Sequence, residues 1–371
     1  MSIKTPYYLI SEKKLKENLK ILENLKEETG CKILLAQKCY SIYQTYPLLS
    51  SVLDGTCSSG LFEALLSEKY FKKENHVHKI AFSDEEIPKI KDIADFIVFN
   101  SENQLEKYSK FFMNKKIGVR INPEISTQET PIYDPCGKFS RMGIKIKDFE
   151  KIPKNLMSLI SGLHFHTLCE QNSDDLEKTL VKFEKNFGKY LHSMDWLNFG
   201  GGHHITRADY DLNKLKDLVK HFQNKYDLQV YLEPGEAVAL NAGYLVTTVL
   251  DIVKNEKEIA IVDTSAACHM PDVLEMPYRP PLFNSAKPGE KNFDYILAGP
   301  TCLAGDIIGE YSFDKKLEVG DKLYFEDMAI YTMVKNNTFN GMPLPSIVLE
   351  KENGELNVLR EFDYLDFESR L

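Results

Sequence analysis

A chain of 371 residues has room for one large α/β domain and a second, smaller one. Its 43% hydrophobic and 27% charged residues are ordinary for a globular protein, and a net charge of −9 argues against nucleic acid as the main partner. Seven cysteines without a CxxC pair argue against a disulfide framework or a zinc site and read as reduced thiols in a cytoplasmic protein.

The opening residues, MSIKTPYYLISEKKLKENLK, lack the continuous apolar stretch of a leader, and no later run approaches the roughly 18 apolar residues that span a bilayer. From about residue 30 to 235, strands and helices alternate. Strands are expected at ILLAQ (33–37), GTCSS (55–59), KIAFS (79–83), FIVFN (96–100), IGVRI (117–121), ISGLHFH (160–166), DWLNF (195–199) and LQVYLE (228–233). Amphipathic helices are expected at Gly60–Phe71, Glu85–Ala94, Glu102–Phe112, Asp174–Leu191 and Ala208–Tyr226. The fold class is therefore α/β. Eight strands in this alternation predict a (β/α)8 TIM-like barrel over residues 11–238, although a doubly wound sheet shares the alternation. The polar, Gly/Pro-containing stretch from Glu124 to Lys145 predicts a long functional loop. Beyond Gly235 the runs at 246–253, 258–263, 295–298, 322–325 and 346–349 are short and β-rich. They predict an antiparallel β domain over 239–371, sandwich- or barrel-like, with residues 1–10 a candidate extra strand and 350–371 a charged edge.

A barrel builds its active site at the C-terminal ends of its strands. Lys38, Arg120 with Asn122, His164 with His166, Gly200–Gly202 and Glu233 all fall at such ends. Lys38 is either a rim ammonium paired with a carboxylate or an amine suited to Schiff-base chemistry. His164 and His166 share one strand face, a spacing that fits metal as well as one core and one rim imidazole. His203 and His204 diverge and read as loop or substrate-side residues. Gly200–Gly202 is a tight turn or an anion cradle. Glu233-Pro-Gly-Glu236 places a carboxylate at the last strand end, where it can hold a heterocyclic nitrogen protonated, and the turn adds backbone N–H groups. In the β domain, Cys302 stands out from the other cysteines because AGPTCLAGD (298–306) frames it in a Gly/Pro turn, with Asp306 four residues on. Tyr331 precedes the loop signal FNG (339–341).

Taken in order, AQK, GLHFH, GGG, EPGE, GPTC and a Tyr before FNG resemble the fold-type III pyridoxal-phosphate (PLP) decarboxylases over essentially the whole chain. That group includes the diaminopimelate, ornithine and arginine decarboxylases. HFHTLCE, NFGGGHHIT and EPGEAV are most similar to its carboxynorspermidine/carboxyspermidine branch, which serves polyamine and spermidine biosynthesis. The resemblance implies PLP at the strand C-termini, linked to Lys38 and stacked by His166. It implies a phosphate cradle of Gly201, Gly202 and the Gly235–Glu236 backbone, assisted by Tyr331, and a pyridine-nitrogen partner in Glu233. It further implies Cys302 as proton donor, delivered from the second subunit of a homodimer with shared active sites.

Two departures from the diaminopimelate pattern bear on substrate. Glu236 stands where that branch has Arg for a distal carboxylate, and Leu303 stands where it has an acid for a distal amine. A longer cationic amino acid fits both, with Glu236, Asp272, Glu275 and Asp306 as candidate amine partners and Arg279 as a substrate-side cation. TLCE after His166 also replaces a Gly-Ser phosphate contact common in relatives. The expected reaction is PLP-dependent decarboxylation of carboxynorspermidine or carboxyspermidine to norspermidine or spermidine, with no metal, nucleic acid or membrane involved. Diaminopimelate decarboxylase is the near alternative. A metal-dependent barrel hydrolase on His164 and His166 leaves GPTC unexplained, and a non-catalytic PLP-binding homologue has no use for Cys302.

Overall fold

The computed structural model describes residues 3–371. In chain order its strands are β1 (Tyr7–Ser11), β2 (Lys32–Ala36), β3 (Gly55–Ser58), β4 (Glu74–His78), β5 (Phe96–Phe99), β6 (Lys116–Asn122), β7 (Ile144–Lys145), β8 (Gly162–His164), β9 (Trp196–Asn198) and β10 (Gln229–Leu232). There follow β11 (Gly243–Asn255), β12 (Lys257–Val262), β13 (Phe293–Ala298), β14 (Ile307–Phe313), β15 (Lys322–Glu326), β16 (Ser346–Glu350) and β17 (Leu356–Arg360). Chain contacts divide the protein into two units, Glu17–Val238 and the N-terminal residues up to Lys16 together with Ala239–Leu371.

In the first unit, parallel strands run in the order β5-β4-β3-β2-β10-β9-β8-β6, and β5 pairs again with β6, closing a ring of eight. The strands are buried on both faces, as covered parallel sheets are: β5 is buried throughout and β6 after its first residue. Outward-facing Phe165 and Phe199 meet helical Phe183 and Phe222 at ring separations of 5.1 and 5.6 Å. Asn172 caps the helix Ser173–Leu191 by accepting from Ser173 N, and Leu176, Leu180, Phe183, Phe187 and Leu191 form its buried stripe.

Inside the ring, Leu34, Phe96, Val98, Trp196 and Tyr231 form one apolar cluster. A Cβ on Gly118 or on Gly162 would collide with the Trp196 indole, so these two glycines give the ring its space. Trp196 Nε1 donates to Ser161 Oγ at 3.1 Å, which satisfies its one polar atom. Strand side chains alternate in direction, so the face that carries Phe96, Trp196 and Tyr231 low in the barrel continues upward to Val98, Asn198 and Glu233.

Three expectations shift. The strand expected at KIAFS (79–83) is instead β4, Glu74–His78, whose polar sequence ENHVH hides a buried run. The strand expected over 160–166 is only Gly162–His164, so His166 lies just beyond it. A helix at Glu12–Thr29, with Leu15, Leu19, Leu22 and Leu25 buried, precedes β2 and had no counterpart in the sequence reading.

In the second unit the strand order is β14-β13-β12-β11-β1-β16-β17, with β15 on β11. Most pairs are antiparallel, but β1–β16 and β12–β13 are parallel. β1 lies between β11 and β16, and β17 forms an edge.

Candidate active site

Lys38 follows β2 and is exposed, and its amine has no hydrogen-bond or ion-pair partner among the described residues. Cys57 of β3 lies close to both Lys38 and Glu233. Burial pushes its thiol well up, the Glu233 charge adds to that, and Lys38 opposes it. A rim lysine serving stability would be paired. This one is not.

Glu233 is the buried anion of the barrel mouth, 6% exposed. Its Oε2 lies 3.1 Å from His164 Nε2, and its Oε1 accepts from Asn198 Nδ2 at 2.8 Å. Burial works to raise its pKa, but His164, with His76 and His78 behind it, holds the carboxyl down at about 2. Asn198 Oδ1 in turn accepts from Gly200 N at 2.8 Å. The rings of His78 and His164 stack at 5.2 Å, and His78 Nε2 and His164 Nδ1 are buried without a partner.

His166 Nδ1 accepts from Gly201 N at 2.9 Å, and its carbonyl accepts from Arg120 Nη2 at 3.2 Å. Burial, then the charges of Lys38 and Arg120, pushes its pKa well below the usual histidine range. Its ring is therefore neutral at physiological pH. Gly200 and Gly202 have φ of 72° and 82°, and a Cβ on either would strike the loop after β8. A Cβ on Gly201 would strike the Glu233 carbonyl, and one on Gly235 would strike Cys39. Bare backbone at these four positions is thus a steric requirement of the turn.

Glu236, 8% exposed, pairs with His204, Nε2 to Oε2 at 2.9 Å. With Glu170 these offer three ligand atoms within 4.8 Å of one another. His204 Nδ1 faces the Arg207 guanidinium at 3.4 Å, which opposes a cation there. His164 and His166, the pair considered for metal, lie outside this group.

The remaining candidates lie in the second unit. Cys302 is exposed, and its N–H donates to Asn340 Oδ1 at 2.7 Å. Asp306, 2% exposed, accepts from Thr301 Oγ1 at 2.7 Å, Ser265 Oγ at 3.0 Å and Ala267 N at 3.2 Å, so its carboxylate closes the turn that displays Cys302. Asp272 and Glu275 both pair with Lys335, the latter at 2.6 Å. Arg279 lies 4.8 Å over the Tyr311 ring. Tyr331 sits at φ 51° before the short helix Thr332–Lys335. The barrel unit thus gathers Lys38, His166, Gly201, Gly202, Glu233, Gly235 and Glu236, while Asp272, Glu275, Arg279, Cys302, Asp306 and Tyr331 belong to the sheet unit. Sequence reasoning missed His78 because its strand was misplaced. It passed over Asn198 as one polar residue in an apolar run.

An unpaired amine, a neutral imidazole, a held carboxylate and a bare-backbone turn fit an aromatic cofactor with an aldehyde, a ring nitrogen and a phosphate. Comparisons point the same way. Residues 39–329 match the family profile described as pyridoxal-dependent decarboxylase, C-terminal sheet domain. A carboxynorspermidine/carboxyspermidine decarboxylase of Campylobacter jejuni is 45% identical over 99% of this chain and 98% of its own. A carboxyaminopropylagmatine decarboxylase of Synechocystis is 40% identical over 100% of this chain and 96% of its own. The crystal structure of carboxynorspermidine decarboxylase from Campylobacter jejuni, complexed with norspermidine, superposes with a TM-score of 0.94 at 44% identity over the full length of both chains. The chain belongs to the pyridoxal-phosphate-dependent decarboxylases built from a parallel barrel and a C-terminal sheet domain.

Proposed function

We propose that the enzyme removes the α-carboxylate of carboxynorspermidine or carboxyspermidine, releasing CO2 and norspermidine or spermidine. The observation that carries the reading is the Glu233 carboxylate, held by two donors in the same barrel mouth as the unpaired Lys38 amine. PLP, when bound, supplies the sink for the electron pair left on Cα as the bond to the carboxylate breaks.

The residues divide the rest. The Lys38 amine would hold the cofactor through its aldehyde carbon. The neutral His166 ring offers an uncharged face. Glu233 keeps a proton on the ring nitrogen, because an anion beside it favours the cationic ring. The N–H groups of the glycine turn and of Gly235–Glu236 would hold the phosphate, a task in which the family resemblance also gives Tyr331 a part. The Cys302 thiol gives the proton that Cα needs in place of CO2, and in a homodimer it comes from the second copy. The chain works in the cytoplasm.

Asp272 and Glu275 are already answered by Lys335, and Asp306 is spent on its own turn. Glu236 engages His204 through Oε2 alone, at the barrel mouth, so it stays a candidate to draw a distal amine, and its acidity disfavours a second substrate carboxylate. CO2 release should be compared across carboxynorspermidine, carboxyspermidine, carboxyaminopropylagmatine and diaminopimelate. The first two should exceed diaminopimelate by at least about 100-fold in kcat/KM, since a charged group without its partner costs several kcal/mol. Faster turnover of diaminopimelate or of carboxyaminopropylagmatine than of either triamine acid would overturn the assignment.

A further inference from the structure

Glu233 is held from behind by two side chains with no other evident task. His164 and Asn198 are Cα partners across β8 and β9, and Asn198 is also paired with Tyr231, two residues before Glu233. Both are buried, 2% and 0% exposed. Their identity and orientation are fixed by chemistry. A carboxylate only accepts, so His164 Nε2 carries the proton in this contact, while its Nδ1 is buried without a partner. Gly200 N only donates, so Asn198 presents its oxygen to the glycine turn and its NH2 to Glu233. One amide thereby ties the turn at the phosphate end to the carboxylate at the ring-nitrogen end.

We propose that His164 and Asn198 are positioning residues for the cofactor: together they aim the Glu233 carboxylate, and Asn198 sets its distance from the Gly200–Gly202 turn. The proposal rests on the reading of Glu233 as the ring-nitrogen partner. A carboxylate this deep, stripped of its donors, would take up a proton or swing away, and either change removes the anion that the ring nitrogen needs. The other groups facing it are His76 and His78 of β4, Arg120 of β6 and Cys57 of β3, with Lys38 nearby. Of these, the Cys57 thiol also reaches the Glu233 carboxylate, but a thiol is a weak donor beside the His164 imidazole and the Asn198 amide.

Four variants test it, read by PLP affinity of the apoprotein in equilibrium dialysis and by pH titration of the bound cofactor's absorption. His164→Leu removes the donor and should weaken PLP about tenfold and displace the titration, the size expected for a lost hydrogen bond to a charge. His164→Gln places an amide NH2 near the Nε2 position and should return affinity to within about threefold of the parent. Asn198→Asp keeps the oxygen for Gly200 N but sets a like charge against Glu233, and should weaken PLP at least as much as His164→Leu. Glu233→Gln calibrates the reading. If it binds and titrates like the parent, Glu233 is not the ring partner and the proposal falls with that reading. If Glu233→Gln is impaired while both His164→Leu and Asn198→Asp bind within about twofold of the parent with unmoved titrations, Glu233 stands and the proposal alone is overturned. Failure of His164→Leu to fold leaves His164→Gln and Asn198→Asp to decide by the same limits.

Discussion

The two units treat their buried histidines in opposite ways. In the sheet unit, Asp306 spends its carboxylate on Thr301, Ser265 and Ala267, and buried His269 has both ring nitrogens engaged, Nδ1 with Thr264 Oγ1 at 2.9 Å and Nε2 with the Pro343 carbonyl at 3.0 Å. In the barrel unit, His76, His78, His164 and His203 each keep a buried nitrogen without a partner. Native interiors rarely leave such atoms orphaned unless a ligand, a water or a chemical task accounts for them. Asp306 and His269 are architecture, whereas the histidines around the barrel mouth are equipment.

Four substitutions or conditions sharpen that contrast. Lys38→Ala should abolish the absorption of lysine-bound cofactor and cut turnover by on the order of 10³-fold or more, since a covalent anchor has no understudy. Spectrum and rate measured together check it. Cys302→Ala should lower kcat by about 100-fold while leaving that absorption intact, the pattern of a lost proton donor beside a complete cofactor site. Asp306→Ala, which alters architecture, should cost about 2–3 kcal/mol of stability by stranding the donors of Thr301, Ser265 and Ala267, read as a lower denaturation midpoint.

The smallest effect concerns pH. Burial holds His203 and His269 down to about 4 from an ordinary 6.5. The unfolded chain therefore takes up protons before the fold does. Stability is full above about pH 6.5 and drains as pH falls toward about 4. His203→Gln and His269→Gln should each flatten that decline. A denaturation series between pH 7 and pH 4 measures it, and an unaltered slope in both would contradict the neutral-histidine account.

How much of this was legible beforehand follows from what the strands display. Apolar runs that end in a single polar residue announced themselves, so Lys38, His166 and Glu233 were found at their strand ends. β4 did not, because ENHVH carries Asn75 and His76 on opposite faces of a buried strand, and no apolar alternation survives to be read. His78 was lost with it. The helix Glu12–Thr29 was concealed by its own charge: four leucines at helical spacing lie among lysines and glutamates in a segment read for a leader. β14, Ile307–Phe313, escaped because the turn before it drew attention to Cys302. The meeting of Glu170, His204 and Glu236 was beyond reach, since it joins three motifs that only strand closure brings together.

Trp196 is the only tryptophan in the chain, and it fills the barrel floor beneath the residues that hold Glu233. That makes the molecule its own optical gauge. Its indole emission reports on the barrel without interference from the sheet unit. A bound chromophore that absorbs in the near ultraviolet would quench it by energy transfer, so cofactor loading and barrel integrity can be followed in one cuvette without a label.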